Sequence, residues 1–166
     1  MTPRPNDSDS AHAAEPPEGH GRSRIDRRVR DGIEQSYGGV VVRGDEVLVI
    51  TPAGRRRVTA LPKGAPREGE TDRETAGREV REETGVTVEV GEPVGDVSYV
   101  YRRAGRRIHK VVHYYLCTFV SGSTSDHDLE VDDARWIPLQ DALTALTYPG
   151  ERRLIGRAMS KLAPDR

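Results

Sequence analysis

Glu79, Glu82 and Glu83 are the residues whose type and spacing point most directly to chemistry. On a helix turning 100° per residue they fall within about 100° of one another, so three carboxylates converge on one strip. Such crowding is unfavourable unless cations are present. Hard divalent ions supply the compensation: magnesium takes carboxylate oxygens, keeps several waters and completes its octahedron with substrate phosphates. The chemistry suggested is therefore phosphate chemistry, weighed against the plainer reading of a charged helix face in water. Ala76 and Val80 lie next to the strip and would pack on a sheet, which puts the strip at the edge of the core.

Other constellations do not complete a mechanism. The single cysteine, Cys117, cannot close an internal disulfide or form a thiolate cage, so any metal must be held mainly by oxygen. His109 and His113 are four apart, but their segment reads as a strand, where that spacing separates them by about 13 Å, too far for one zinc ion. Gly38-Gly39 completes neither a dinucleotide fingerprint nor a P-loop, and no Gly-x-Ser-x-Gly elbow occurs.

The elements that must position the glutamates are readable on either side of them. Thr71 with Glu74 makes a capping box, and Gly85 is placed to end the helix in a left-handed conformation. Upstream, residues 39–42 and 47–50 predict a hairpin through Arg43-Gly44-Asp45, and residues 57–61 predict a short strand stopped by Pro62 and Gly64. Downstream, Val86, Val88 and Val90 alternate with polar residues, and residues 97–102 and 108–120 predict a second hairpin. A strand at 130–137, a short helix at 139–146 and a helix at 152–162 complete the order. Strands, helix, strands, helices predicts an α+β fold rather than a repetitive doubly wound sheet.

With 166 residues, 34% of them apolar and 32% charged, the chain predicts one compact domain with spare length. We expect residues 1–32 to be a disordered tail, poor in apolar residues, and residues 33–166 to be the folded domain. The arginine cluster between Arg22 and Arg30 reads as a solvated linker in preference to a phosphate-binding arm. Basic and acidic residues number 26 and 27, so no overall field draws the chain to nucleic acid or anionic lipid. No nucleic-acid partner and no membrane association are expected, and the absence of an apolar leader predicts a cytoplasmic protein.

The run from Gly64 to Val86 matches the signature of the Nudix hydrolase family. Gly64, Glu70, Arg78, Glu79, Val80, Glu82, Glu83, Gly85 and Val86 fill its defined positions without departure. The resemblance implies an α/β/α sandwich with a central mixed β-sheet and a loop-helix-loop catalytic motif. It also implies hydrolysis of a phosphoanhydride in a nucleoside diphosphate derivative by water attack at phosphorus, with magnesium or manganese.

Carried over residue by residue, the resemblance makes Glu79 and Glu83 the main metal ligands, Glu82 a further ligand or the base, and Arg78 the holder of the carboxylates. The resemblance also implies the main-chain carbonyl of Lys63, beside Gly64, as a further metal donor. Some members use an additional carboxylate on a loop before a late strand. Glu130 occupies a comparable place, as ligand or base, and is preferred to Asp126, Asp132 and Asp133.

Leu61-Pro62-Lys63-Gly64 resembles the run before the box in dinucleoside polyphosphate hydrolases and in diphosphoinositol polyphosphate phosphohydrolases. Lys63, Tyr101 and Lys110 are accordingly expected at the substrate, the lysines toward phosphates with Arg102, Arg103 and Arg106 nearby in sequence, and the tyrosine stacked on a base. The first expectation is asymmetrical cleavage of diadenosine tetraphosphate to ATP and AMP. The alternatives are a nucleoside triphosphate pyrophosphohydrolase of the MutT sanitising type and a non-catalytic nucleotide-binding domain. A monomer or a homodimer is expected.

Overall fold

The structure, a computed structural model, describes residues 28–164. The expected tail lies outside the described residues, except for its last few positions. Those already form strand β1 (Val29–Arg30), which turns through Asp31 and Gly32, both at positive φ, into β2 (Ile33–Arg43). Strand pairing among the described residues thus includes positions upstream of residue 33. Then follow β3 (Glu46–Pro52), β4 (Lys63–Gly64), helix α1 (Asp72–Thr84), β5 (Val86–Arg103), β6 (Arg106–Gly122), β7 (Val131–Pro138), α2 (Leu139–Ala145) and α3 (Pro149–Leu162).

The sheet runs β5-β6-β2-β3-β7, with β2 and β6 parallel and the other neighbours antiparallel, so it is mixed. β2 is apolar without interruption from Val40 to Val42 because both its faces are covered. Val40, Val42, Val47 and Val49 point toward Leu146, Leu154, Ile155 and Ala158 on one side. Val41, Leu48 and Cys117 meet Val80 of α1 and Val86 on the other. The helices therefore lie on both faces, the α/β/α arrangement expected.

One edge of β2 is divided among three partners, and this division builds the site. β1 takes Ile33 and Glu34, β4 takes Tyr37 and Gly38, and β3 pairs only at Val42 and Arg43 before leaving to join β7. The opening between β2 and β3 admits the 62–64 loop, fixed by Gly39 N–H donating to the Pro62 carbonyl (3.2 Å).

Two local expectations are corrected. Residues 57–61 are not a strand: only Ala60 bridges, to Ile50. The Val58 amide donates to Arg55 O in a turn and the Thr59 amide to Thr147 Oγ1, so side-chain and turn partners replace a ladder. Conversely, the two predicted strands at 86–90 and 97–102 are one strand, β5. Its register shifts between Val90 and Gly95, so the Gly-Glu-Pro segment is a bulge instead of a loop.

Candidate active site

The glutamate strip rests on a helix that is fixed at both ends. Thr71 Oγ1 accepts from the Glu74 amide (3.2 Å), which satisfies one orphan donor of the first turn. At the other end Gly85 has φ 76°, and its N–H donates to the Arg81 carbonyl. A Cβ there would stand 2.2 Å from the Ser123 carbonyl oxygen, so glycine also lets the β6–β7 connection close over the helix terminus. That connection is held by the Asp128 amide, which donates to the Glu82 carbonyl (2.9 Å).

Arg78 organises the carboxylates. Its Nε donates to both oxygens of Glu70 (2.9 and 3.0 Å), and its Nη2 donates to the Ala65 carbonyl (2.9 Å). Its Nη1 reaches Glu79 Oε1 (2.8 Å) and Glu82 Oε2 (3.1 Å). One guanidinium therefore ties the loop before the helix to two glutamates on it, which uses the planar fork that lysine lacks. The second oxygen of Glu82 pairs with Arg67 (3.0 Å). Glu83 Oε2 accepts from the Lys63 amide (3.0 Å), so the helix is also bonded to β4.

Gly64 lies directly against Glu79. A Cβ on Gly64 would come within 2.2–2.4 Å of the Glu79 carboxylate atoms, so no other residue fits without displacing that carboxylate. Gly64, Glu70, Arg78, Glu79, Glu82 and Glu83 thus form, with Lys63, one contact network that folds the loop before the helix onto the helix itself. The NUDIX domain family matches residues 34–157. The chain belongs to the Nudix hydrolase family.

Similarity to individual members agrees. The chain is 41% identical over 146 residues to MutT4 of Mycobacterium tuberculosis, covering 80% of this chain and 59% of that protein. It is 35% identical over 102 residues to the 8-oxo-(d)GTP phosphatase of Mycolicibacterium smegmatis, covering 61% of this chain and 30% of that one. The chain thus spans less than two thirds of either relative. Among solved structures, the MutT protein of Bacillus halodurans superposes with a TM-score of 0.62 at 25% identity, covering 74% of this chain and 79% of that one.

Within the Nudix box the electrostatics follow from burial. Burial pushes the Glu79 carboxyl up to about 7, with Arg78 opposing and Glu82 and Glu130 adding to the rise. Glu83 is raised well above the usual carboxylate range, first by burial and then by Glu79, with Lys63 opposing. Asp128 is raised by burial, opposed by the Glu130 amide. Buried carboxylates that raise one another are a donor set suited to a hard cation, and members of the family generally need a divalent metal. Among the described residues no three acidic, imidazole or thiol groups converge in ligating geometry; Glu79, Glu82 and Glu83 face Arg78, Arg67 and the Lys63 amide.

The structure brings together Arg78, Glu79, Glu82, Glu83 and Lys63, and the charge of Glu130 acts on Glu79. Tyr101 and Lys110 lie apart from them. Strand alternation puts both with Val97 and Val112 on the sheet face that α2 and α3 cover, and Tyr101 Oη donates to Glu34 (2.5 Å). His109 and His113 are both on β6, and His113 is hydrogen-bonded to Asp96 and Gln35.

Two acids escape the sequence reading. Asp128 Oδ1 accepts from the Glu130 amide (3.0 Å), so it shapes the loop that carries Glu130. Glu151 of α3, 3% exposed, accepts from the Leu61 amide (2.9 Å) and Tyr114 Oη (3.1 Å), which fixes the approach to Gly64. Glu151 has no local sequence signal, since it acts on backbone 90 residues away, whereas Asp128 bonds the amide two residues on, a local turn pattern that the choice of Glu130 passed over.

Proposed function

We propose that this Nudix domain hydrolyses a phosphoanhydride in a nucleoside diphosphate derivative, with Glu79, Glu82, Glu83 and Glu130 as the carboxylates of a divalent-cation site. The observation that carries the reading is the Arg78 network, which holds Glu79 against Gly64 beside Glu83. Magnesium or manganese, when bound, supplies the positive charge that joins phosphate oxygens to this acidic strip and activates water. Arg78 keeps the carboxylates in place, and Gly64 leaves room for them. Water attacks phosphorus, the bridging P–O bond breaks toward the leaving phosphate, and the water proton passes to a carboxylate. Glu130, whose charge acts on Glu79, is the proposed proton acceptor and Glu82 a ligand.

For the substrate we favour a nucleoside triphosphate of the MutT type, including oxidised ones, cleaved to a monophosphate and pyrophosphate. The likeness to MutT4 and to an 8-oxo-(d)GTP phosphatase supports this choice. Asymmetrical cleavage of diadenosine tetraphosphate is the second reading, supported by Leu61-Pro62-Lys63-Gly64 before the box. The intact set of carboxylates argues against a silent nucleotide-binding domain. Turnover of a panel of nucleoside triphosphates, oxidised triphosphates and diadenosine polyphosphates, with product analysis, separates the three. Pyrophosphate release supports the first, ATP with AMP the second, and binding without turnover the last.

A further inference from the structure

Between Asp96 and Asp126 the chain has no acidic residue, yet it carries Arg102, Arg103, Arg106, Arg107 and Lys110. All five lie on the β5–β6 hairpin, whose turn residues Ala104 and Gly105 both have positive φ. The register sets Arg102 opposite Arg107 and Arg103 opposite Arg106. Like charges directly opposite destabilise a strand pair, and here two such pairs are adjacent. Residues 102–107 are all exposed. Glu34 pairs with Arg103, and among the described residues no ion pair reaches Arg102, Arg106 or Arg107.

The same hairpin carries aromatics at strand spacing. Tyr99, Tyr101 and Arg103 alternate onto one face of β5, with Lys110 and Ile108 opposite the two tyrosines. The tyrosine ring centroids are 6.3 Å apart, and the Arg103 guanidinium lies 5.4 Å from the Tyr101 centroid. Tyr99 Oη is buried and has no hydrogen-bond partner among the described residues. Cations beside the Tyr99 and Tyr101 rings, which are tilted 46° to each other, suit bases and phosphates together, whereas an acidic peptide would use only the arginines. Reach narrows the choice further. Gly64 pairs with Tyr37, which is level with His113, and Arg106 lies seven residues along β6, about 24 Å away. A mononucleotide at the glutamates cannot span that distance, but several linked nucleotides can.

We propose that the β5–β6 hairpin is an arm that binds a single-stranded polynucleotide, its arginine pairs holding phosphates and Tyr101 stacking on a base. The near-zero charge of the whole chain conceals this local excess, which reverses the expectation drawn from composition alone.

The test is fluorescence anisotropy of the full chain with labelled ten-nucleotide RNA and DNA bearing 5′-hydroxyl ends, across salt concentrations. Turnover plays no part, so the outcome is independent of the hydrolase proposal. Arg106→Thr with Arg107→Thr is expected to weaken binding at least tenfold and to reduce the salt slope by about 1.4, because two phosphates are then left without a cationic partner. Arg106→Glu with Arg107→Glu turns both repulsive pairs into attractive ones, so it should raise Tm while abolishing binding. Tighter RNA than DNA binding names RNA as the ligand, and the reverse names DNA. Wild-type chain that binds neither oligonucleotide, variants that bind as wild type does, or tighter binding of polyglutamate than of either oligonucleotide would overturn the proposal.

Discussion

Glu79 is the glutamate most constrained by its surroundings: its side chain is 11% exposed, and its carboxylate faces Arg78 and lies against Gly64. Gly64→Ala should therefore displace it, with kcat falling about a hundredfold, the effect of a reacting group moved by an ångström. Steady-state kinetics on the folded variant check this; a kcat near wild type would show that the contact is dispensable. Burial also makes Glu79 a pH reporter. Its folded pKa of about 7 exceeds the ordinary 4.5, so between those values the folded chain keeps a proton that the unfolded chain releases. That contribution to stability is full below pH 4.5 and is lost as pH rises through 7, by about 3 kcal/mol. In chelator, the unfolding free energy of wild type minus that of Glu79→Gln should fall from pH 5 to pH 8. A difference independent of pH would contradict the assignment.

At the scale of elements, the site exists because β3 leaves β2 and because the β6–β7 connection closes on the end of α1. Asp128 serves the second purpose through its amide on Glu82 O and its carboxylate under the Glu130 amide. Asp128→Ala should lower kcat about tenfold, whereas Asp128→Asn, which keeps the acceptor, should retain most activity. Equal loss in both would show that the charge itself is needed. The helix was legible in sequence because its signals are local: Thr71, Gly85 and the 3.6-residue period. The apolar runs of β2, β3 and β6 were legible for the same reason. The division of one β2 edge among β1, β3 and β4 was not, because it is decided by tertiary pairing. Residues 57–61 have strand composition, yet side chains from distant segments take the Thr59 and Leu61 amides. Glu151 carries no motif because it caps backbone remote in sequence, and Asp128, though its carboxylate makes a local turn, is tied to the site by a main-chain bond to Glu82 that no residue type signals. Tyr101 and Lys110 have suitable chemistry for a substrate, but strand parity, fixed by the β5 bulge, decides which face they share.

At the scale of the whole molecule, all buried apolar residues of the described chain fall between Tyr37 and Ala158, and the Nudix match covers 34–157. Removing residues 1–27 should therefore leave turnover within about twofold and Tm within about 2 °C, as seen for changes away from a core. A larger loss would assign those residues a role in the domain. No helix among the described residues is long and apolar enough to cross a membrane. The central claim is that the acidic strip on α1 performs metal-dependent phosphoanhydride hydrolysis. Its most direct test compares wild type with Glu83→Gln, which removes charge with little change of shape, on a nucleoside triphosphate with magnesium and with chelator. The account predicts turnover that needs the divalent ion and falls at least about a hundredfold in the folded variant. Near-normal turnover by folded Glu83→Gln, or full activity in excess chelator, would contradict it.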